Sequence, residues 1–93
     1  MITVLVVDDS AFMRKALSMM LERDPGVRVI DTARDGQQAL ETIAALEPDV
    51  VTMDIEMPRM DGLTALGRIM DEMPRPVLMV SSLTREGADA TVK

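Results

Sequence analysis

The sequence contains no cysteine and no histidine, and these two absences remove whole classes of chemistry. Without cysteine there is no disulfide and no thiolate metal site, and the sequence does not distinguish an oxidising from a reducing compartment. Without histidine, a Ser-His-Asp catalytic arrangement is excluded. Phe12 is the only aromatic residue, so aliphatic side chains and ten methionines must fill the interior of the fold.

Positive charge is also scarce. Ten Lys and Arg residues against 16 Asp and Glu residues leave a net charge of −6, whereas nucleic-acid binding needs a basic patch. No apolar run approaches the length of a membrane span, and no signal peptide precedes the first apolar run. We therefore expect one small domain in the cytoplasm, with neither nucleic acid nor a membrane as its partner.

Short apolar runs alternate with segments of helical periodicity along the chain. The runs predict strands at 2–7, 27–31, 50–53 and 77–80. Helices are expected after each strand: the first to about Arg23, two more capped by Asp35 and Asp61, and one starting within 84–93. The inward faces are predicted to hold Ala39, Leu40, Ile43 and Leu46 in the second helix, and Leu63, Leu66, Met70 and Met73 in the third. This βα order predicts an α/β fold, a flavodoxin-like doubly wound parallel sheet of about four strands and four helices.

Polar side chains follow three of these strands. Asp8 and Asp9 end the first strand, Asp54 the third and Ser81 the fourth, and the carboxyl ends of parallel strands lie at one sheet edge. Three carboxylates that meet there repel one another unless a cation joins them, and hard oxygen ligands favour Mg²⁺. A carboxylate can attack phosphorus to form an acyl phosphate, which makes Asp54 a candidate nucleophile. The alternative is that one of the paired aspartates, or Ser10, only caps the first helix.

Three ordered motifs resemble the receiver domains of two-component response regulators. They are Val-Asp-Asp-Ser at 7–10, Met-Asp-Ile-Glu-Met-Pro-Arg-Met-Asp-Gly-Leu at 53–63 and Pro-Val-Leu-Met-Val-Ser-Ser-Leu-Thr at 76–84. Ala-Phe-Met-Arg-Lys at 11–15, with Glu56 and Arg59, further resembles the chemotaxis protein-glutamate methylesterase branch. Because the resemblance runs the whole length, residues 1–93 are expected to form one receiver domain.

The resemblance implies a role for each site residue. Asp54 would be the phosphoacceptor, and Asp9 and Asp54 would supply metal carboxylates. Asp8 would act through a water molecule, and the backbone carbonyl of Glu56 would complete the protein ligands. The metal would be Mg²⁺ or Mn²⁺, and Ser81 would be the switch hydroxyl that contacts the phosphoryl group. A histidine kinase would donate the phosphate, and phosphorylation would regulate a methylesterase domain that lies outside this chain.

One part of the family pattern is missing. Receivers also use a lysine at the end of a fifth strand, whereas the only lysines here are Lys15 and Lys93. The chain is therefore expected to be a receiver incomplete at its C-terminus, without the fifth strand and the fifth helix. Loss of a cationic phosphate partner should slow phosphoryl transfer. The apolar strand 77–80 would become an exposed edge, which predicts self-association through it.

Two alternatives belong to other functional classes. In the first, the chain is a Mg²⁺-dependent aspartyl-phosphate phosphatase that uses Asp54 as its nucleophile. That enzyme needs a general acid, and Glu56 could serve only if it turned inward with a raised pKa. In the second, the chain is an inert fragment that keeps the motif and binds no metal. Catalytic turnover would distinguish the enzyme from a single modification, and Mg²⁺ titration would identify the inert fragment.

Overall fold

The computed structural model describes residues 1–80, in which strands and helices alternate strictly. The elements are β1 (Ile2–Val7), α1 (Ala11–Leu21), β2 (Val27–Ala33), α2 (Gly36–Leu46), β3 (Val50–Asp54), α3 (Gly62–Glu72) and β4 (Val77–Val80). All strand pairs are parallel, in the order β2-β1-β3-β4. The predicted flavodoxin-like α/β fold is therefore confirmed. The helix expected within 84–93 lies outside the described residues.

Both faces of the sheet carry helices. A buried cluster joins one face of β1 and β3 to α2 and α3, and it includes Leu5 and Val7 of β1. Val4 and Val6 are also buried but stand outside this cluster, because successive strand residues point to opposite faces. Helix α1 contacts β1 and β2 without joining the cluster, which places it on the side of Val4 and Val6.

Three predicted elements end elsewhere than expected, and β3 differs by one residue only, since it includes Asp54. Helix α1 ends at Leu21 rather than near Arg23, because Glu22 is its C-cap and the chain turns directly afterwards. Strand β2 continues past residue 31 to Ala33, which pairs with Val7 and accepts a hydrogen bond from the Asp8 backbone N–H. The longer β2 supports the end of β1 up to the first of the paired aspartates.

The predicted inward faces of the helices were only partly correct. Ala39, Leu40 and Ile43 are buried in α2, but Leu46 is exposed at its C-terminus. In α3 the prediction was wrong for Leu63 and Met70, which are exposed, and Leu66 is half-buried. Met73, the C-cap of α3, packs against the core as predicted. The buried residues of α3 are instead Gly62, Ala65 and Ile69. Small residues face the sheet at the start of α3 because its backbone approaches β3 closely there.

Side-chain caps begin the helices, and these caps orient the loops at the carboxyl edge of the sheet. Asp35 and Asp61 are the N-caps of α2 and α3, as predicted, and accept hydrogen bonds from the backbone N–H groups of Gln38 and Thr64. Within residues 1–80, no helix has both the length and the apolar character that crossing a membrane requires.

Candidate functional site

Three aspartates converge at the carboxyl edge of the sheet, as the strand endings predict. Strands β1 and β3 are neighbours, and the pairing of Val7 with Met53 sets the following residues, Asp8 and Asp54, side by side. Asp9 follows on the β1–α1 loop. Each of the three carboxylates offers an oxygen, and these oxygens all lie within 4.8 Å of one another. Such a group of oxygens is suited to holding a hard divalent cation.

Burial distinguishes the members of this cluster. Asp8 and Asp54 are each only 1% exposed, whereas Asp9 is exposed. Within the described residues, Asp8 Oδ2 and both carboxylate oxygens of Asp54 are buried without a hydrogen-bond partner. A buried carboxylate oxygen without a partner costs free energy, because it has lost water and gained nothing in exchange. These oxygens fit a site that a cation or a phosphoryl group completes.

Asp8 is surrounded by hydrogen bonds and by other charges, which act on its pKa and on its position. Burial raises its pKa above the ordinary value, a backbone hydrogen bond from Ser10 opposes this, and the charges of Asp54 and Asp9 raise the pKa further. The Ser10 N–H donates to Asp8 Oδ1 at 2.9 Å, and Arg14 Nη1 donates to the Asp8 carbonyl oxygen at 2.9 Å. The β1–α1 loop is thus fixed while Asp8 Oδ2 remains free to bind.

Ser10 is the N-cap of α1. The sequence left open whether Ser10 or one of the paired aspartates caps this helix, and the structure assigns the cap to Ser10. Its Oγ accepts a hydrogen bond from the Met13 N–H at 3.2 Å. Neither paired aspartate is needed to cap the helix, so Asp9 and Asp8 Oδ2 are left to the acidic cluster.

The β3–α3 loop, residues 55–61, follows directly from Asp54. Met57 is buried in the core, and the Gly62 N–H donates to the Ile55 carbonyl oxygen at 2.8 Å. A Cβ at Gly62 would overlap the Asp54 carbonyl oxygen and lie 2.9 Å from Ile55 Cα, so this close approach requires glycine. Glu56, whose backbone carbonyl is the predicted metal ligand, lies in this loop with its side chain exposed.

The loop also contains a feature that the sequence did not predict. Arg59 adopts a left-handed backbone with φ of 70°, and the Met60 N–H donates to the Pro58 carbonyl oxygen at 2.9 Å, which closes a three-residue turn. Arg59 Nη1 lies 3.8 Å from Asp35 Oδ2 at the start of α2. No sequence pattern links two residues so far apart along the chain, so only the fold could identify this pair.

Two further positions complete the account of the site. Ser81, the predicted switch hydroxyl, lies outside the described residues. Thr52, on the same face of β3 as Asp54, has a buried hydroxyl without a hydrogen-bond partner in residues 1–80. The sequence gives no signal for Thr52, because threonine is an ordinary strand residue.

The sequence matches known proteins along nearly its whole length. A family model described as the response regulator receiver domain matches residues 4–93. The chain is 74% identical over 93 residues to protein-glutamate methylesterase/protein-glutamine glutaminase 1 of Oleidesulfovibrio alaskensis, covering 100% of this chain and 25% of that protein. It is 73% identical to the corresponding protein 2 of Nitratidesulfovibrio vulgaris, with the same coverage. The chain thus spans about a quarter of the length of these curated relatives.

Solved structures agree with the sequence matches. The response regulator domain of Thermotoga maritima CheB superposes with a TM-score of 0.85 at 53% identity, covering 98% of this chain and 68% of that chain. A chain in the CheX–CheY–BeF3–Mg²⁺ complex from Borrelia burgdorferi superposes with a TM-score of 0.81 at 40% identity, covering 94% of this chain and 66% of that one.

Proposed function

This chain belongs to the response regulator receiver domain family, and we propose that it accepts a phosphoryl group on Asp54 from a histidine kinase. Residues 1–93 would act as a receiver domain whose phosphorylation regulates a protein-glutamate methylesterase. The observation that carries the proposal is the state of Asp54, whose two buried carboxylate oxygens have no partner within the described residues. A purely structural aspartate at the end of a strand would have its oxygens hydrogen-bonded.

The acidic cluster would hold Mg²⁺ or Mn²⁺. Asp9 and Asp54 would bind the ion through their carboxylates, Asp8 through a water molecule, and Glu56 through its backbone carbonyl. When bound, the ion would screen the charge between the carboxylates and the incoming phosphate and help to align in-line transfer. The unpaired buried oxygens of Asp8 and Asp54 support this assignment, and so does the Mg²⁺ in the Borrelia complex that includes a similar chain.

The chemical step belongs to Asp54. One of its carboxylate oxygens forms a bond to phosphorus with its own electron pair, while the N–P bond of a phosphohistidine breaks. The electron pair of that bond goes to the imidazole nitrogen, which then takes a proton from water. The Ser81 hydroxyl would donate a hydrogen bond to an oxygen of the transferred group.

The activity that phosphorylation regulates would belong to another part of a longer protein. The curated relatives are named as methylesterases and glutaminases and are about four times the length of this chain. This chain contains no histidine and so holds no Ser-His-Asp arrangement of its own. The exposed side chain of Glu56 gives no support to the phosphatase alternative, which needs an inward-facing acid there.

Incubation with acetyl phosphate and Mg²⁺ tests the acceptor. We expect the intact mass to rise by one phosphoryl group, and hydroxylamine to remove it, because an acyl phosphate is cleaved by that nucleophile whereas a serine phosphate is not. Asp54→Asn should abolish the gain. Asp49→Asn, an aspartate at the opposite end of the sheet, is the matched control and should retain it. Labelling that persists in Asp54→Asn would exclude this residue as the acceptor.

We also propose that the 93-residue chain self-associates through β4. In residues 1–80 this strand pairs only with β3, carries no charged side chain, and exposes 60% of Leu78. The opposite edge, β2, carries the charged residues Arg28 and Asp31, and Glu22 Oε2 accepts a hydrogen bond from the Val29 N–H. Apolar edges pair with other chains, and charges prevent it.

Light scattering over a range of protein concentrations tests the self-association. The average mass should rise with concentration in the unchanged chain and fall toward the monomer in Leu78→Lys. Val29→Lys, on the charged edge, should leave the association unchanged. A strictly monomeric unchanged chain at high concentration would rule out the proposal.

A further inference from the structure

We propose that Asp35 is a positioning residue for the acidic cluster. It acts through Arg59, which it holds in the left-handed turn of the β3–α3 loop, and the pair thereby increases the affinity for Mg²⁺. This inference rests on the proposed function, because the loop that Arg59 belongs to carries the backbone carbonyl of Glu56.

The conformation of the loop needs support. A non-glycine residue with φ of 70°, such as Arg59, is a costly backbone state that persists only where its surroundings hold it. The turn is closed by a single backbone hydrogen bond, from the Met60 N–H to the Pro58 carbonyl oxygen. Pro58 and Arg59 are both exposed, so packing around these two residues does not supply the restraint. The restraint must come from neighbouring contacts.

The start of α2 supplies such contacts in two ways. The Asp35 side chain is 7% exposed; its Oδ1 accepts the Gln38 N–H at 2.8 Å, and its Oδ2 faces Arg59 Nη1 at 3.8 Å. The next residue, Gly36, lies so close to Met60 that a Cβ there would be 2.9 Å from the Met60 Cβ, Cγ and carbonyl oxygen. The helix start and the loop are therefore in direct contact at two successive positions.

Asp35 thus performs two tasks with its two oxygens, and the tasks can be separated. The cap needs only Oδ1, which the side chain of asparagine also provides, and asparagine is as good an N-cap as aspartate. The contact with Arg59 needs the negative charge. Asp61 has the first task alone: it is exposed, caps α3 through Oδ1, and makes no ion pair within the described residues.

The expected size of the effect follows from exposure. The Arg59 side chain is 73% exposed, so water screens the pair even though Asp35 is buried. Pairs of this kind contribute modestly, so removing the charge of either partner should weaken Mg²⁺ binding by about two- to fivefold. Arg68 and Glu72 form an exposed pair on α3 at 3.1 Å, away from the loop, and provide a control.

The experiment combines Asp35→Asn, Arg59→Gln, the double variant and Arg68→Gln. Calorimetric titration gives the Mg²⁺ affinity of each, and NMR gives the backbone amide shifts of Glu56 and Met60 without metal. We expect each single variant to bind Mg²⁺ about two- to fivefold more weakly, and the double variant no more weakly than either, because both remove one interaction. The Met60 amide should shift in both single variants, and Arg68→Gln should change neither quantity.

Several results would overturn the inference. Losses that multiply in the double variant would show that Asp35 and Arg59 act independently. A lowered unfolding midpoint with unchanged Mg²⁺ affinity would show a role in stability alone. If the unchanged chain takes up no Mg²⁺, the proposed function fails. In that case the chemical shift of the Met60 amide, measured without metal, still tests the Asp35–Arg59 contact. An unchanged shift in both single variants would refute that contact too.

Discussion

The two ends of the central strands treat the same type of residue in opposite ways. At the amino end, Asp49 Oδ2 accepts hydrogen bonds from the Thr3 N–H and Thr3 Oγ1, both at 2.9 Å, and the Asp49 N–H donates back to Thr3. At the carboxyl end, Asp8 Oδ2 and both Asp54 oxygens are buried without partners in residues 1–80. The amino end is satisfied by the protein itself, whereas these carboxylate oxygens at the carboxyl end have no partner among the described residues.

The pKa values follow the same division. Hydrogen bonds from the Thr3 backbone and side chain lower the pKa of Asp49, so folding favours its charged form. Burial raises the pKa of Asp8, so folding disfavours its charge. The contacts of Asp49 therefore stabilise the fold at neutral pH, whereas the buried charge of Asp8 reduces its stability. Aspartates retained at such a cost are typical of functional sites.

Gly62→Ala should have the largest effect on this contrast, because the backbone at the carboxyl end has no room to adjust. The new methyl group would overlap the Asp54 carbonyl oxygen, and we expect the free energy of unfolding to fall by about 2–3 kcal/mol. Gly67→Ala is the control: its Cβ meets nothing within 4 Å, and alanine should stabilise the helix by about 0.5–1 kcal/mol. Urea denaturation measures both. Equal stability of the two variants would contradict the close packing at Gly62.

Asp8→Asn should stabilise the metal-free chain at neutral pH by about 1 kcal/mol, since it removes a poorly satisfied buried charge and still accepts the Ser10 N–H. Asp49→Asn should change stability in the opposite direction, because it loses the charge that the Thr3 donors favour. Urea denaturation with a chelator present compares the two variants. If both lower stability, the two ends do not differ as described.

Substitution of one threonine at each end of the sheet, Thr52 and Thr3, should change the free energy of unfolding by a smaller amount and in opposite directions. The Thr52 hydroxyl is buried without a partner in the described residues, so Thr52→Val should raise the free energy of unfolding by roughly 0.5–1 kcal/mol. Thr3→Val removes a hydroxyl that both donates to and accepts from Asp49, and should lower it by about 1 kcal/mol. Thermal unfolding of the two variants gives the signs. A loss of stability in Thr52→Val would show that its hydroxyl is hydrogen-bonded.

The smallest effect is the net dependence of stability on pH, because the contribution of Asp8 opposes those of Asp49 and Asp61. The Asp8 pKa is raised above 3.8, so its stabilising contribution is complete below that value and is lost as the pH rises through the folded-state pKa. The pKa values of Asp49 and Asp61 are lowered, so their contributions are present above 3.8 and are lost as the pH falls through their folded-state values. In chelator, Asp8→Asn should remove the loss of stability that occurs as the pH rises. Asp49→Asn should reduce the loss of stability that occurs as the pH falls. Unchanged pH profiles in both variants would contradict these assignments.

Much of the site could be predicted because strand endings are visible in the sequence. Asp8, Asp9 and Asp54 follow apolar runs, and parallel pairing brings such endings together whatever the details of packing. The caps Asp35 and Asp61 were predictable because a helix needs a side-chain acceptor at its start. Local rules of this kind identify which residues meet.

What could not be predicted depends on contacts between segments that are distant in sequence. The periodicity of α3 placed Leu63 and Met70 inside, but the close approach at Gly62 rotates a different face toward the sheet. The contact between Asp35 and Arg59 exists only after α2 and the β3–α3 loop are packed together. Which of the paired aspartates is buried likewise depends on the bend after β1.

The central claim is that the carboxyl end reduces stability in order to bind a divalent cation. Its most direct test is the unfolding free energy of the unchanged chain and Asp54→Asn, each measured in chelator and in saturating Mg²⁺. In chelator, Asp54→Asn should be the more stable of the two. Mg²⁺ at one hundred times its dissociation constant should stabilise the unchanged chain by about 2.7 kcal/mol and Asp54→Asn by much less. An Asp54→Asn variant that is less stable in chelator, together with an unchanged chain that gains nothing from Mg²⁺, would contradict the account.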